Sequence, residues 1–324
     1  AETDLAEREI DGIEGYRGSA PVRTGNGAFC QTQLDVYGAV LDWALLYREL
    51  GGRIGRKQAG MLRTVADGAL RRWCEPEHGI WEMRGPRRHH VHGKIMSWVA
   101  LDRAGRLLGA DPALEAAKRA IATAVGEQGR SPEGWLRQAF GEDGIDASAL
   151  TVPLLGYPLD RRVVEATVAA VERRLRRGDY VYRYHGPDGL PGDEGAFLIC
   201  SFWLVDALLS LDRPQEARKL FERLLACAND VGLYAEEIDP ASGEFLGNFP
   251  QAFTHLALVG AAFHLDLYER KGARALAGCH ADRARRHIRA TLGWRALWAF
   301  FRATGRAGRL LPSWRSVLRR GLCR

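Results

Sequence analysis

Two glutamates in this chain stand beside large aromatic residues in glycine-led segments. One segment runs Gly79-Ile80-Trp81-Glu82-Met83-Arg84-Gly85; the other runs Gly232-Leu233-Tyr234-Ala235-Glu236-Glu237-Ile238-Asp239. Two carboxyl groups facing each other across an aromatic-lined pocket are the least machinery that cleaves a glycosidic bond. One must arrive protonated and the other ionised, so their environments have to differ. About 150 residues separate the two segments, so only a fold that gathers its loops at one end can bring them together.

The elements that could do this are legible as an alternation of two helix types. Residues 56–73, 112–126, 160–177 and 214–229 each carry one apolar stripe with charges opposite, as in 214–229 with Leu220, Phe221, Leu224, Leu225 and Ala228. Between them lie segments that are apolar nearly all round, at 194–211 and 250–268, and others that fit the same class more loosely, at 31–50, 92–108 and 146–156. Such segments must be buried on all sides. Asp111-Pro112 and Pro214 mark helix starts, and Gly178 suits a helix end. The spacing therefore predicts inner helices, each followed by an outer one, with a repeat of about 50 residues. Inner-to-outer joints are short. The outer-to-inner joints, at 74–91, 127–145, 178–193 and 230–249, are long and carry Trp81, Trp135, Tyr180, Tyr182, Tyr184 and Tyr234. Because each long loop precedes an inner helix, all should emerge at one end. Long loops of that kind in a compact domain usually carry function.

Composition narrows the classes further. The 324 residues carry a formal charge of +6. Residues 272–324 contain 13 Arg and a single acid, Asp282, which is +12, so the other 271 residues carry −6. Nucleic-acid binding is therefore not inferred from the basic pI. The Arg-rich tail includes Trp294, Trp298, Phe300, Phe301 and Trp314 and suits an anionic partner, a membrane surface or a loose extension. No run of 18 charge-free apolar residues exists, so no membrane span is expected. Six cysteines without a CxxC pair are read as reduced thiols and the protein as cytoplasmic. His89-His90-x-His92 fits no firm zinc spacing, and no phosphate loop or nucleotide fingerprint occurs. Neither metal nor cofactor is expected.

Several blocks, in order, resemble glycoside hydrolase family 15, the inverting glucoamylase, glucodextranase and bacterial-type trehalase family. They include Gly15-Tyr16-Arg17-Gly18-Ser19-Ala20-Pro21-Val22-Arg23, Gln33-Leu34-Asp35-Val36-Tyr37-Gly38, Gly79-Ile80-Trp81-Glu82, Asp146-Ala147-Ser148, Tyr182-Arg183-Tyr184 and Gly247-Asn248-Phe249-Pro250-Gln251. The resemblance implies an all-α fold, a barrel of six helical hairpins, which agrees with the alternation above. It implies Glu82 as general acid and Glu236, three residues before Asp239, as general base. Asp35 and Arg183 match sugar-gripping positions of the family, Trp81 and Trp135 are stacking candidates for a pyranose face, and Glu237 is a further substrate-binding candidate. Only five inner segments are countable, and the family's Trp-x-Arg-Asp segment has no match. The expectation is a barrel lacking its first hairpin, with residues 1–271 as the catalytic domain and 272–324 as a dispensable tail. The expected function is an inverting, exo-acting α-glucoside hydrolase that releases glucose from trehalose or from α-glucan and oligosaccharide ends. The alternative is a truncated, non-catalytic sugar-binding remnant. Its partner is a small carbohydrate, and its oligomeric state is open.

Overall fold

The computed structural model describes residues 5–186 and 194–291. The Trp and Phe residues of the tail, from Trp294 onward, lie outside them. The described residues form nine α-helices: α1 (Asp35–Glu49), α2 (Arg56–Arg72), α3 (Val91–Leu108), α4 (Pro112–Gln128), α5 (Arg161–Arg174), α6 (Leu198–Ser210), α7 (Pro214–Leu225), α8 (Ala252–Lys271) and α9 (His280–Thr291). The predicted starts hold. The Asp111 carboxylate accepts the N–H of Ala113 at 2.8 Å, with Pro112 opening α4, and Pro214 opens α7.

The inner/outer distinction is visible in burial. α3 is buried on nearly every face from Val91 to Leu101, as is α6 from Leu198 to Leu209, whereas α2, α4, α5 and α7 each bury one stripe. α1 packs on α3; α6 packs on the segment 147–154, on α7 and on α8. One core cluster surrounds α3 and a second surrounds α6. Burial at this density is the main favourable term holding the array together.

Several details differ from the sequence reading. α1 and α8 are not buried on all sides but keep exposed apolar faces, because no described helix covers them. α5 ends at Arg174, and Gly178 lies in the turn between the paired residues Arg177 and Tyr180 rather than at a helix end. The third inner segment is not an α-helix but a 3₁₀ helix, Ala147–Leu154, interrupted by Pro153, which cannot donate to an α-helical ladder. α6 begins at Leu198 rather than at 194, because Ala196–Phe197 is drawn into strand pairing.

The loops meet as short strands. β1 (Arg8–Ile10) and β2 (Val22–Thr24) form an N-terminal hairpin. β3 (Arg176–Arg177), β4 (Tyr180–Val181), β5 (Ala196–Phe197), β6 (Glu237–Ile238) and β7 (Phe245–Leu246) follow in one antiparallel strip. Isolated bridges continue the strip, from Asp146 to Tyr184 and from Ala139 to His90. The N-terminal segment completes it. His78 N–H donates to Thr32 O at 2.9 Å on one side. On the other, Tyr16 stacks on Phe249 at 4.7 Å and Arg17 pairs with Glu244 at 2.8 Å. The described residues of the long loops, with residues 5–33, thus form a collar around one end of the helices.

The start of the Arg-rich tail is not a loose extension. Residues 273–276 form a 3₁₀ turn against α8, and α9 packs on α1. Arg283 is 0% exposed and donates to the carbonyls of Leu154 (2.8 Å) and Gly278 (2.7 Å) and to His264 Nε2 (3.0 Å). His264 in turn contacts Asp206 at 2.9 Å through Nδ1, which therefore carries the proton. His280 meets Asp42 at 2.7 Å, Arg106 meets Asp282 at 2.7 Å, and Arg285 pairs with Glu49. The described start of this stretch is therefore docked on the helices: Arg283 fills acceptors on α8, the segment 147–154 and the turn at 276–278, and Arg285 pairs with α1.

Candidate active site

Glu82 lies at the mouth of the collar. Its loop turns tightly: Glu82 N–H reaches Gly79 O at 3.3 Å and Met83 N–H reaches His78 O at 3.1 Å. Glu82 itself takes a left-handed backbone, φ +56°, uncommon for a residue with a side chain. Amide donors face both carboxyl oxygens, Asn26 Nδ2 at 3.4 Å from Oε2 and Gln33 Nε2 at 3.5 Å from Oε1. Gln31 ties the backbone down through the carbonyls of Glu82 and Met83, both at 3.2 Å.

Trp81 forms part of the wall behind. Its indole N–H donates to Asp146 Oδ1 at 2.9 Å, and its ring packs on Phe197 (5.8 Å) and Trp203 (5.9 Å). The same Asp146 oxygen accepts from Ser148 N–H at 2.7 Å. Burial, the largest influence, raises the Asp146 carboxyl above its ordinary range, while those donors oppose it. Arg183 sits among aromatic faces, 5.9 Å from Trp81 and 4.8 Å from both Tyr184 and Phe197, and its Nε donates to Glu194 at 2.8 Å.

Phe197 links this wall to the second glutamate. It pairs across β5–β6 with Glu237, and Leu198 N–H donates to Glu236 O at 3.1 Å. Glu236 Oε2 accepts from Asn248 Nδ2 at 2.8 Å and Asn248 N–H at 3.2 Å, and Oε1 accepts from Gln251 Nε2 at 3.2 Å. Three donors hold this carboxylate in one orientation. A Cβ at Gly247 would stand 2.9 Å from Glu236 Oε2, and Gly247 has φ +69°, so both space and backbone call for glycine. Glu237 turns the other way and accepts Gly195 N–H at 2.7 Å; burial, chiefly, raises its carboxyl, and the neighbouring Glu236 charge adds to this.

Asp35 opens α1 at the same end. Burial raises its carboxyl, its own and Val36 amides oppose that, and the Glu82 charge adds to the rise. Among the described residues its Oδ1 has no hydrogen-bond partner. Of the residues singled out in the sequence, Glu82, Trp81, Asp35, Arg183, Glu236 and Glu237 all gather at the collar. Trp135 is the exception. It is 1% exposed, with Arg174 4.7 Å over its ring, so it packs the core and leaves no face for a pyranose. Asn26, Gln31, Asp146, Glu194, Asn248 and Gln251 are site residues that the sequence reading did not single out.

A family model for glycosyl hydrolases family 15 matches residues 1–263. The chain belongs to this family. It is similar to the trehalase of Mycolicibacterium smegmatis, 42% identical over 274 residues, covering 82% of this chain and 41% of that one. The Mycobacterium tuberculosis trehalase is also 42% identical over 274 residues, with coverage of 82% and 40%. That of Thermoplasma volcanium is 38% identical over 272 residues, with coverage of 81% and 44%. The family 15 chain thus spans about two fifths of the length of these curated relatives. Among solved structures, a wild-type glycosidase superposes with a TM-score of 0.63 at 21% identity, covering 78% of this chain and 74% of that one. A variant glycosidase in complex with glucose gives 0.63 at 20% identity, with the same coverage. At those identities the likeness speaks for the helical fold.

Proposed function

We propose that this family 15 chain carries the catalytic centre of an inverting, exo-acting α-glucoside hydrolase whose substrate is trehalose. Glu82 is its general acid and Glu236 its general base. The observation that carries the reading is the short path between the two glutamates. Trp81, next to Glu82, packs on Phe197, which pairs with Glu237 beside Glu236, so both carboxyls belong to one mouth. The trehalase names of the relatives favour trehalose over α-glucan ends.

In the reaction, Glu82 donates its proton to the glycosidic oxygen as the C1–O bond breaks. Glu236 takes a proton from the water that attacks C1 from the opposite face. One glucose leaves with its own hydroxyl and the other is released as β-glucose. Room for that water requires the carboxyls to stand about 6.5–9.5 Å apart. Asn248 and Gln251 hold the base in one orientation through three hydrogen bonds. Asn26 and Gln33 are placed to receive the charge that Glu82 acquires once its proton is gone. Asp35, whose buried Oδ1 has no partner among the described residues, and the Arg183–Glu194 pair would bind hydroxyls of the terminal glucose.

The helices are read as an (α/α) barrel with five inner segments, the sixth inner position lying between α1 and α8. The five described cysteines are free thiols, which fits a reducing compartment. The test is glucose release from trehalose, maltose and isomaltose, with the first product anomer followed by NMR. Equal amounts of β- and α-glucose as the first products from trehalose, and β-glucose from the non-reducing end of maltose, support the assignment; α-glucose alone from trehalose overturns inversion. Binding of glucose without hydrolysis of any of the three would leave a sugar-binding module.

A further inference from the structure

Glu77 is fully buried, yet it lies in none of the roles above. Its backbone is fixed against Arg88 by two hydrogen bonds of 2.8 Å, so its side chain projects from a rigid point. One carboxyl oxygen, Oε2, accepts Leu34 N–H at 3.3 Å and Gly79 N–H at 2.9 Å. Leu34 is the residue before Asp35, at the start of α1. Gly79 begins the turn that presents Trp81 and Glu82, and its carbonyl receives the Glu82 N–H. The other oxygen, Oε1, would lie 2.1 Å from a Cβ at position 93, so α3 carries Gly93 there to admit it. A single carboxyl therefore joins the sugar-gripping helix start, the acid loop and the first turn of α3.

We propose that Glu77 is a positioning residue for the acid half of the reaction: it sets the placement of Glu82 relative to Asp35. The inference rests on the assignment of Glu82 as general acid. A hydrocarbon would fill the same space without the penalty of burying a carboxyl. The two N–H groups it receives explain why an acid is there. They belong to backbone segments 45 residues apart, and Glu77 joins them from beneath, while the His78–Thr32 link and the Asn26, Gln31 and Gln33 amides join them nearer the mouth. Burial pushes the Glu77 carboxyl up to about 7, with the nearby Asp35 charge adding and Gly79, Leu34 and Lys94 opposing. The chain maintains this buried acid at some expense of stability, as is common at sites that must be preorganised.

The test compares Glu77→Asp and Glu77→Gln on trehalose, whose leaving group needs protonation, and on α-glucosyl fluoride, whose leaving group needs little. Aspartate is one carbon shorter and withdraws from the two amides. Misplacement on the scale of an ångström costs about 10²-fold. The expected result for Glu77→Asp is a fall in kcat of about 10²-fold on trehalose with little change in KM, and a much smaller fall on the fluoride. Glutamine keeps the length and one acceptor oxygen, so Glu77→Gln should stay within about 10-fold of wild type on trehalose. Equal losses on both substrates, or no loss in Glu77→Asp, overturn the proposal and leave Glu77 as ordinary packing. Should Glu77→Asp fail to fold, Glu77→Gln decides: near-wild-type trehalose turnover supports the proposal, and equal loss on both substrates overturns it. The parent reading fails separately, and takes this one with it, if Glu82→Gln hydrolyses trehalose as wild type does or if wild type acts on neither substrate.

Discussion

Glu82 combines a left-handed backbone with a solvent-facing carboxyl, a conformation that persists only where its surroundings enforce it. Gln31, the Gly79 carbonyl and the Asn26 amide supply that enforcement. With Glu82 as the proposed general acid, Glu82→Gln should lower trehalose turnover by a factor on the order of 10²–10⁴ and lose far less on α-glucosyl fluoride. Glu236→Gln should depress both, since water must be activated in either case. Steady-state rates on the two substrates check this, and equal behaviour of the two variants would falsify the division of roles. Gly247→Ala is expected to destabilise by about 1–2 kcal/mol and to lower kcat, because the new methyl meets Glu236 Oε2 in a backbone region that disfavours any Cβ. Thermal melting and trehalose assays read both effects. The glutamates were legible because each sits beside an aromatic residue in an ordered series of blocks. Asn26 and Gln31 were not, since an amide that meets a carboxyl or carbonyl some fifty residues away leaves no local pattern; Asp146 stood in a matching block, but its bond to the Trp81 indole is visible only in the fold. Trp135 misled for the converse reason: a Trp in a long loop reads the same whether its ring faces the mouth or, as here, the core.

At the level of elements, the hairpins were readable because apolar periodicity reports directly which faces are buried. Helical character at 146–156 was overestimated because apolar content alone does not separate an α-helix from a 3₁₀ turn, although Pro153 was a signal. α9 was unreadable. Its partners lie up to 238 residues away, and an Arg-dense stretch looks solvated until the acids it meets are known. Its contacts now predict that Arg283→Ala destabilises by about 3–5 kcal/mol, since the acceptors it fills stay buried and unpaired. Arg283→Lys should recover part of this; melting curves of the two variants check it. The same junction predicts acid sensitivity. Burial favours a protonated Asp42, but His280 and Arg103 outweigh it and hold the carboxyl at about 2, below its unfolded value of about 3.9. A depressed carboxyl stabilises above the unfolded value, and that stabilisation disappears as pH falls through the folded one. Asp42→Asn should therefore flatten the loss of stability between about pH 4 and pH 2, a contribution on the order of 2 kcal/mol, measured by denaturant unfolding at each pH.

For the whole molecule, the collar and the helices tell different stories. The described loop residues pair along one rim, and below it, among the described residues, two inner helices keep apolar faces exposed. α1 exposes Val36, Val40, Trp43 and Tyr47, and α8 exposes Phe253, Leu256 and Val259, with Trp43 and Phe253 both 65% accessible. Such apolar patches drive association. The expected outcome is concentration-dependent self-association in sedimentation velocity, abolished by the pair Trp43→Lys and Val259→Glu without loss of the fold. The thermodynamic character of those faces adds a consequence for handling. Apolar contact of this kind is entropy-driven near room temperature and loosens on cooling, whereas sulfate strengthens it. A preparation held cold in chloride should stay dispersed, and the same preparation should cloud reversibly on warming, or at constant temperature when chloride is exchanged for sulfate.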